Sequence, residues 1–346
     1  MRDNNKNIAT TSNSCFLFNL ENILELAILK NATDIHIREF ENICKLELRI
    51  EGSIHKVDNT HKLNVREIIA RIKILSKLNV AEKRLPQDGA FTHIFKDKKY
   101  DIRVATLPSN MGENVVLRIL NSNLNDISLI SLGFDNDSIA ILKKACSQNN
   151  GLILITGPTG SGKSTTLLSL INILMKSKRK IITIEDPIEN RIEDIVQIQV
   201  KEEIGLSFEK ILRTVLRSDP DIIVISEIRD EVTAQIATRA ALTGHLVLAT
   251  LHTNDSISTV NRLIDMNIPK YLILDSLLCI LSQRLIFNGY KRICVSEILE
   301  INDEIKKIFN NNLDKMTIKE MLKEEGFITL KEKLEKRWDL EEYYCL

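Results

Sequence analysis

The sequence predicts an α/β protein built around a mainly parallel sheet, preceded by a small α+β domain and followed by a small helical subdomain. Three observations predict it. The apolar run Leu152, Ile153, Leu154, Ile155 leads into G-P-T-G-S-G-K-S at 157–164, and then into Thr165, Thr166, Leu167 and Leu168, which read as the start of a helix. Beyond residue 150, short apolar segments alternate with helical patterns, the signature of strand–helix–strand units. Before residue 120 the apolar residues switch between a period near four and a period of two, with turn residues between.

From the N-terminus, the Asn-, Ser- and Thr-rich residues 1–19 predict a disordered tail. Leu20, Ile23, Leu24, Ala27 and Ile28 fall at helical spacing, and Ile35 and Ile37 then alternate with His36 and Arg38 as in a strand. Leu46, Leu48 and Ile50 alternate up to Glu51-Gly52, and Ile54 and Val57 resume, which predicts a hairpin. Val65, Ile68, Ile69, Ile72, Leu75 and Leu78 form a second helical stripe, and Pro86-Gln87-Asp88-Gly89 reads as a turn. Alternation over 100–105 and the run 115–120 predict two further strands, completing an N-terminal domain over 20–120. The polar stretch 121–133 is the expected linker. In the domain at 134–300, strands are expected at 152–156, 180–184, 195–200, 222–225 and 246–251. Residues 301–346 are charged, with apolar points at helical spacing, and predict the C-terminal helical subdomain.

Composition narrows the function. The chain has 346 residues, 44% of them apolar, enough for two cores. Lys plus Arg and Asp plus Glu both total 47, so the basic excess of a nucleic-acid-coating surface is missing and direct DNA binding is not expected. Cysteines at 15, 44, 146, 279, 294 and 345 are scattered, without a C-x-x-C pair, which reads as reduced thiols in the cytosol. Residues 16–18 are too short a run for a signal-peptide core, and the apolar stretch 271–281 is interrupted by Asp275 and too short for a bilayer.

The segment 157–164 is a complete phosphate-binding loop. Strand, glycine turn and helix in that order aim backbone N–H groups at one anion; Gly157, Gly160 and Gly162 permit the turn, Lys163 reaches outer phosphates, and Ser164 can ligate magnesium. Pro158, Thr159, Ser161 and Thr165 complete the cradle. Three further strand ends offer polar groups. Ile181–Glu185 ends on Glu185 and Asp186, either ligand-directed carboxylates or an acidic turn capping the sheet. Ile222–Ile225 runs into Ser226 and Glu227; since Ser226 stands where many phosphate-loop enzymes carry Asp, Glu227 must hold magnesium through water, act as general base, or both. His245 and His252 flank the strand 246–251, one at each end, so they form no helix-spaced metal pair. A histidine beside apolar residues reads as a satisfied structural group or as a catalyst, and the carboxyl-end cluster Thr250-Leu251-His252-Thr253 favours His252 as a γ-phosphate sensor.

These residues resemble the secretion ATPases of type II secretion, type IV pilus and competence systems, in the compact competence-type version. The loop at 157–165, T-I-E-D-P-I-E at 183–189, L-R-S-D-P-D-I-I-V-I-S-E-I-R-D at 216–230 and G-H-L-V-L-A-T-L-H-T-N-D at 244–255 are similar to the family's four motifs in order and spacing. D-I-H-I-R at 34–38, R-I-E-G at 49–52, R-L-P-Q-D-G at 84–89 and D-I-R-V-A-T-L-P at 101–108 resemble its N-terminal domain. The resemblance implies a RecA-like ATPase domain behind a PAS-like one. It also implies Glu185 and Asp186 as an acidic box, Glu227 as catalytic carboxylate, His245 and His252 as a histidine box, and Arg49, Arg103 and Arg118 as cations for the triphosphate. Arg103 lies on the polar side of its strand, opposite Ile102 and Val104. Relatives with a four-cysteine zinc element carry it after Q-R-L; here Gln283-Arg284-Leu285 is followed within ten residues by Lys291-Arg292-Ile293-Cys294, so zinc is not expected.

In activity, the resemblance implies an ATP- and magnesium-dependent hexameric motor. ATP would sit between two domains that rotate on hydrolysis. The ring would be cytoplasmic, held at the inner face of the membrane by a polytopic platform protein, and through it would move pilin-like subunits. Val295–Leu299 and Phe327–Leu330 look like the assembly branch; a pilus-retraction motor, a nucleotide-gated scaffold with little turnover, and a DNA-translocating ring are the rivals.

Overall fold

In the computed structural model, residues 19–40, 43–50, 52–58, 64–121, 127–287, 292–311 and 313–337 are described; residues 1–18 of the expected tail, part of the expected linker and residues 288–291 lie outside them. The chain divides into two compact units, 1–122 and 123–346.

The first unit is a six-stranded antiparallel sheet with two helices. Helix α1 (Leu20–Leu29) precedes β1 (Asp34–Phe40), β2 (Ile43–Ile50) and β3 (Ser53–Lys56); α2 (Val65–Leu75) precedes β4 (Gln87–Phe95), β5 (Lys98–Ser109) and β6 (Gly112–Asn121). The sheet order is β3-β2-β1-β6-β5-β4. Apolar residues that alternate along β1, β2, β5 and β6, such as Ile35, Ile37, Leu46, Ile102 and Leu117, share a core with Leu20, Ile23, Ile68 and Ile72 of the helices. Removing such period-matched apolar surface from water is the dominant stabilising term.

The turn expected at Pro86–Gly89 is corrected here: Gln87, Asp88 and Gly89 open β4 and pair with Thr106, Ala105 and Val104 of β5. Asp-Gly is a common turn pair. Here the glycine serves close approach, since a Cβ on Gly89 would stand 2.9 Å from both Leu78 Cδ2 and the Ser76 carbonyl oxygen.

The second unit carries a seven-stranded mixed, mostly parallel sheet. Its elements are α3 (Asn136–Cys146), β7 (Gly151–Thr156), α4 (Lys163–Leu174), β8 (Ile181–Glu185), β9 (Val196–Gln199), α5 (Phe208–Val215), β10 (Ile222–Ile225), α6 (Glu231–Leu242), β11 (Leu246–Leu251), α7 (Ser256–Asp265), α8 (Lys270–Ser276), β12 (Leu277–Phe287), β13 (Arg292–Glu300), α9 (Asp303–Asn310), α10 (Lys315–Glu324) and α11 (Leu330–Arg337). The order is β13-β12-β7-β11-β10-β8-β9. Only β13 runs antiparallel, against β12.

Successive residues of a strand face opposite ways, so the sheet feeds two cores. Leu152, Leu154, Val247 and Ala249 face helices α5 to α8, whereas Ile153, Ile155, Leu246 and Leu248 face α3 and α4. The apolar points beyond residue 300 build no core of their own. Ile305, Ile308, Phe309, Ile318 and Leu322 join the α5–α8 core. The β12–β13 hairpin was not expected from periodicity, because buried residues on both faces erase the two-residue alternation. Among the described cysteines, Cys44, Cys146, Cys279 and Cys294 are buried, and burial pushes the Cys146 thiol up to about 12. No helix among the described residues is long and apolar enough to cross a membrane.

Candidate active site at the carboxyl edge of the parallel sheet

β7 ends at Thr156 and the chain turns through Gly157, Gly160 and Gly162, at φ of 147°, 77° and 86°, before α4 starts at Lys163. An L side chain at these angles is strained, so glycine is required. Gly157 is doubly constrained, because a Cβ there would lie 2.4 Å from the Gln283 carbonyl oxygen. Helices α3, α5, α6, α7, α9 and α10 are each capped by an Asp, Asn or Ser side chain that accepts from a first-turn N–H. α4 has no such cap and no acidic residue in its first turn. Its leading N–H groups and the positive end of its dipole therefore face the loop's concave side, where an anion is stabilised.

Lys163 Nζ donates to the carbonyls of Gly157 at 2.9 Å and Pro158 at 3.0 Å, which holds the ammonium over the loop. Burial lowers the pKa of this buried ammonium, and the charge of Glu227 partly offsets that. Ser164 is exposed beside it, with Thr165 half-buried and Thr159 and Gly160 exposed at the tip. The donor set suits a polyphosphate with a hard divalent cation: helix-start N–H groups, an ammonium and a serine hydroxyl.

Parallel pairing places other strand ends on the same edge. Leu251 lies beside Thr156, Ile225 beside Ala249, and Ile184 beside Ile225, so the residues that follow each strand emerge together. Glu227 is the centre of this group. His252 Nε2 lies 3.2 Å from its Oε1, Arg229 Nε donates to its Oε2 at 3.1 Å, and Arg229 Nη1 donates to Asp186 Oδ2 at 2.9 Å. Burial alone would lower the Arg229 guanidinium, but Glu227 and Asp186 together raise it above its ordinary value. Behind the group, Thr250 Oγ1 donates to the Ser226 carbonyl and the Ile228 N–H donates to the Thr250 carbonyl, fixing the segment that carries Glu227.

Not every expected residue arrives there. Glu185 is turned toward the sheet edge, where its Oε1 accepts from Thr183 Oγ1 at 2.7 Å and from Gln197 Nε2 at 2.9 Å. His245 precedes β11, and its carbonyl accepts from the N–H of Gly151, the first residue of β7. It therefore stands at the amino ends of the strands, with its Nδ1 3.1 Å from the Ala240 carbonyl oxygen. A six-residue strand separates it from His252 by roughly 20 Å. The two histidines bracket one strand, as their spacing predicts, and His252 is the one that follows it at the edge where the phosphate loop lies.

Arg49, Arg103 and Arg118 form a row within the first unit. Cross-strand pairing sets Arg49 beside Asp34, Asp34 beside Arg118, and Arg118 beside Arg103, across β2, β1, β6 and β5. Directly paired residues share a sheet face. Arg118 Nε donates to Asp34 Oδ1 at 2.9 Å, Arg49 Nε lies 3.8 Å from Asp34 Oδ2, and Arg49 Nη1 donates to the Gly52 carbonyl. The side chains of Arg49 and Arg118 remain 39% and 64% exposed.

Two polar contributors escaped the motif reading. Arg229 stands two residues after Glu227, a spacing that puts both on one side of an extended segment, and that was its signal. Gln283 served only as a landmark in Q-R-L, yet its Nε2 donates to the Ser161 carbonyl at 2.7 Å. Among the described residues no group of three or more His, Cys, Asp or Glu is placed to hold a metal.

The model of the family described as "Type II/IV secretion system protein" matches residues 11–289. Type II secretion system protein HxcR of Pseudomonas aeruginosa is 39% identical over 341 residues, covering 91% of this chain and 72% of its own length. Type II secretion system protein E of Xanthomonas campestris pv. campestris is 45% identical over 264 residues, 76% of this chain; the chain spans only 47% of that relative's length. Among solved structures, the crystal structure of the pilus retraction motor PilT with bound ADP is 29% identical, covers 95% of each chain and superimposes with a TM-score of 0.75. With four sequence motifs, a matching α/β fold and these relatives in agreement, the chain belongs to the type II/IV secretion system protein family.

Proposed function

We propose that this chain is an ATP-hydrolysing motor subunit that powers a secretion or pilus-type assembly. The observation that carries the reading is the uncapped, acid-free start of α4 behind three positive-φ glycines, with Lys163, Glu227 and His252 on the same sheet edge. ADP bound to PilT supports a nucleotide as the ligand. The magnesium ion that accompanies ATP would be held by Ser164 and, through water, by Glu227, and it would offset phosphate charge. Lys163 exchanges its two loop carbonyls for phosphate oxygens, a swap that costs little because both are acceptors. Glu227 takes the proton of the attacking water, with Arg229 fixing one carboxylate oxygen and His252 set against the other. Asp186 acts through Arg229. Arg49, Arg103 and Arg118 of the first unit are the cations for phosphate charge in this reading, as the resemblance implies.

Coupling a chemical cycle to directed work requires neighbours that respond, so the working form is a closed homo-oligomer, in this reading a hexamer. Its partners are a polytopic inner-membrane platform protein and, through it, pilin-like subunits, and its place is the cytoplasmic face of that membrane. Assembly is proposed over retraction because Val295–Leu299 and Phe327–Leu330 resemble the assembly branch and two type II secretion relatives are 39% and 45% identical. The test is phosphate release by purified protein with ATP and magnesium. Glu227→Gln should retain nucleotide binding and lose turnover; purified protein that binds no nucleotide ends the proposal.

A further inference from the structure

The geometry points to Gln283 as a positioning residue of the phosphate cradle, one that acts on the nucleotide through the Ser161–Gly162 peptide and not by touching it. The inference rests on the nucleotide reading above and adds a residue that none of the four motifs contains.

Gln283 sits where β12 passes under the loop. Its neighbour Ser282 pairs with Thr156, the last residue of β7, so Gln283 lies one step beyond, directly beneath the departing chain. It is 1% exposed. Its backbone oxygen is the atom that bars a side chain from Gly157, and its Nε2 and Leu285 Cδ1 stand 3.3 and 3.5 Å from where a Cβ on Gly162 would be. The amide therefore supports the floor of the loop, and among the described residues its one hydrogen bond goes to the Ser161 carbonyl at 2.7 Å.

That carbonyl and the Gly162 N–H belong to one planar, trans peptide, in which C=O and N–H point in opposite directions. Pulling the oxygen down onto Gln283 turns the Gly162 N–H up, away from the floor and toward the concave side of the loop. Donation to the carbonyl also polarises the peptide and makes the same N–H a stronger donor. Gly162 has no side chain to resist a peptide flip and lies at a φ of 86°, so the orientation needs an external hold. Glutamine here carries a cost that a plain core residue would avoid. Gln283 Oε1 is buried and has no hydrogen-bond partner among the described residues, and Ser161 Oγ above it is in the same condition. A side chain needed only for volume would be methionine or leucine; the buried donor is what glutamine adds.

Gln283→Met keeps length and volume and removes both the donor and the orphaned acceptor. Gln283→Glu keeps the shape and sets a carboxylate against the Ser161 carbonyl. Affinity for ADP and the ATP kinetic constants should be measured for the full chain and both variants, alongside thermal unfolding without nucleotide. The methionine variant should weaken ADP binding about five- to tenfold, as expected for one oriented donor. The glutamate variant should lose more. In both, KM should rise by a larger factor than kcat falls, since the cradle grips ground and transition states alike, while the nucleotide-free unfolding midpoint of the methionine variant stays close to that of the parent. ADP affinity equal to the parent in either folded variant overturns the inference, and the glutamate variant decides alone if methionine prevents folding. A parent chain that binds no ADP removes the nucleotide reading and this inference together; a binding parent with unaltered variants removes this inference only.

Discussion

The two sheets of this protein display their charged residues in opposite ways. In the seven-stranded sheet every residue of β7, β10 and β11 is buried, because helices cover both faces. No charge is tolerated along those strands, and polar chemistry collects where they stop: Lys163, Asp186, Glu227 and His252. In the six-stranded sheet burial alternates, one face is left to water, and Arg49, Asp34, Arg118 and Arg103 lie abreast across four strands. A parallel sheet covered on both faces concentrates function at its carboxyl ends, whereas an antiparallel sheet covered on one face spreads charge over an area.

The sharpest break of this contrast is Lys163→Ala. If the sheet's edge is the seat of chemistry, phosphate release should fall at least about a hundredfold, the scale of losing one preorganised charge at the reacting group. Unaltered turnover would move the chemistry elsewhere. Within the buried strands the effect should be on stability alone: Leu248→Ala should cost about 3 kcal/mol by urea unfolding, since the cavity sits between two packed layers. The two ends of β11 are separated by one pair of variants. His252→Ala should lower turnover about tenfold or more through its contact with Glu227, whereas His245→Ala should leave it within about twofold. Equal effects would refute the assignment of one histidine to each edge.

The smallest effect lies on the open face. Burial would raise the Asp34 carboxyl, but hydrogen bonds from Arg118 and Thr33 and the charge of Arg118 bring it below its ordinary value. A lowered carboxyl contributes stability that is present above about pH 4, where the unfolded group is ionised, and lost as pH falls through the folded value. Asp34→Asn should therefore cost about 1 kcal/mol near neutrality, a modest figure because Arg118 is largely exposed. The difference from the parent should vanish in acid. A constant difference at every pH would show that the charge is not responsible.

The residues show why some of this was legible in sequence and some was not. The phosphate loop could be read because its demands are local: glycines at positive φ, a lysine and a serine in fixed order after an apolar strand. The carboxyl-end positions of Glu227 and His252 could be read because a parallel strand directs whatever comes after it to one edge. The β12–β13 hairpin could not, since its buried residues carry no period, and Asp88-Gly89 misled because glycine serves turns and close approach alike. Arg229 reaches Asp186 and Gln283 reaches Ser161 from 43 and 122 positions away, and no local pattern announces those two contacts.

By itself, then, the sequence determined the strand–loop–helix unit on which the proposed chemistry rests, the alternation of the six-stranded sheet and the apolar runs of the seven-stranded one. Tertiary structure alone decided that Glu185 turns to the sheet edge, that Arg229 joins Asp186 to Glu227, and that a glutamine from a distant strand bonds the Ser161 carbonyl. The physical reason is that backbone conformation and burial period are set by near neighbours along the chain, whereas hydrogen-bond partners across a sheet are set by strand order and register, which only the assembled core selects.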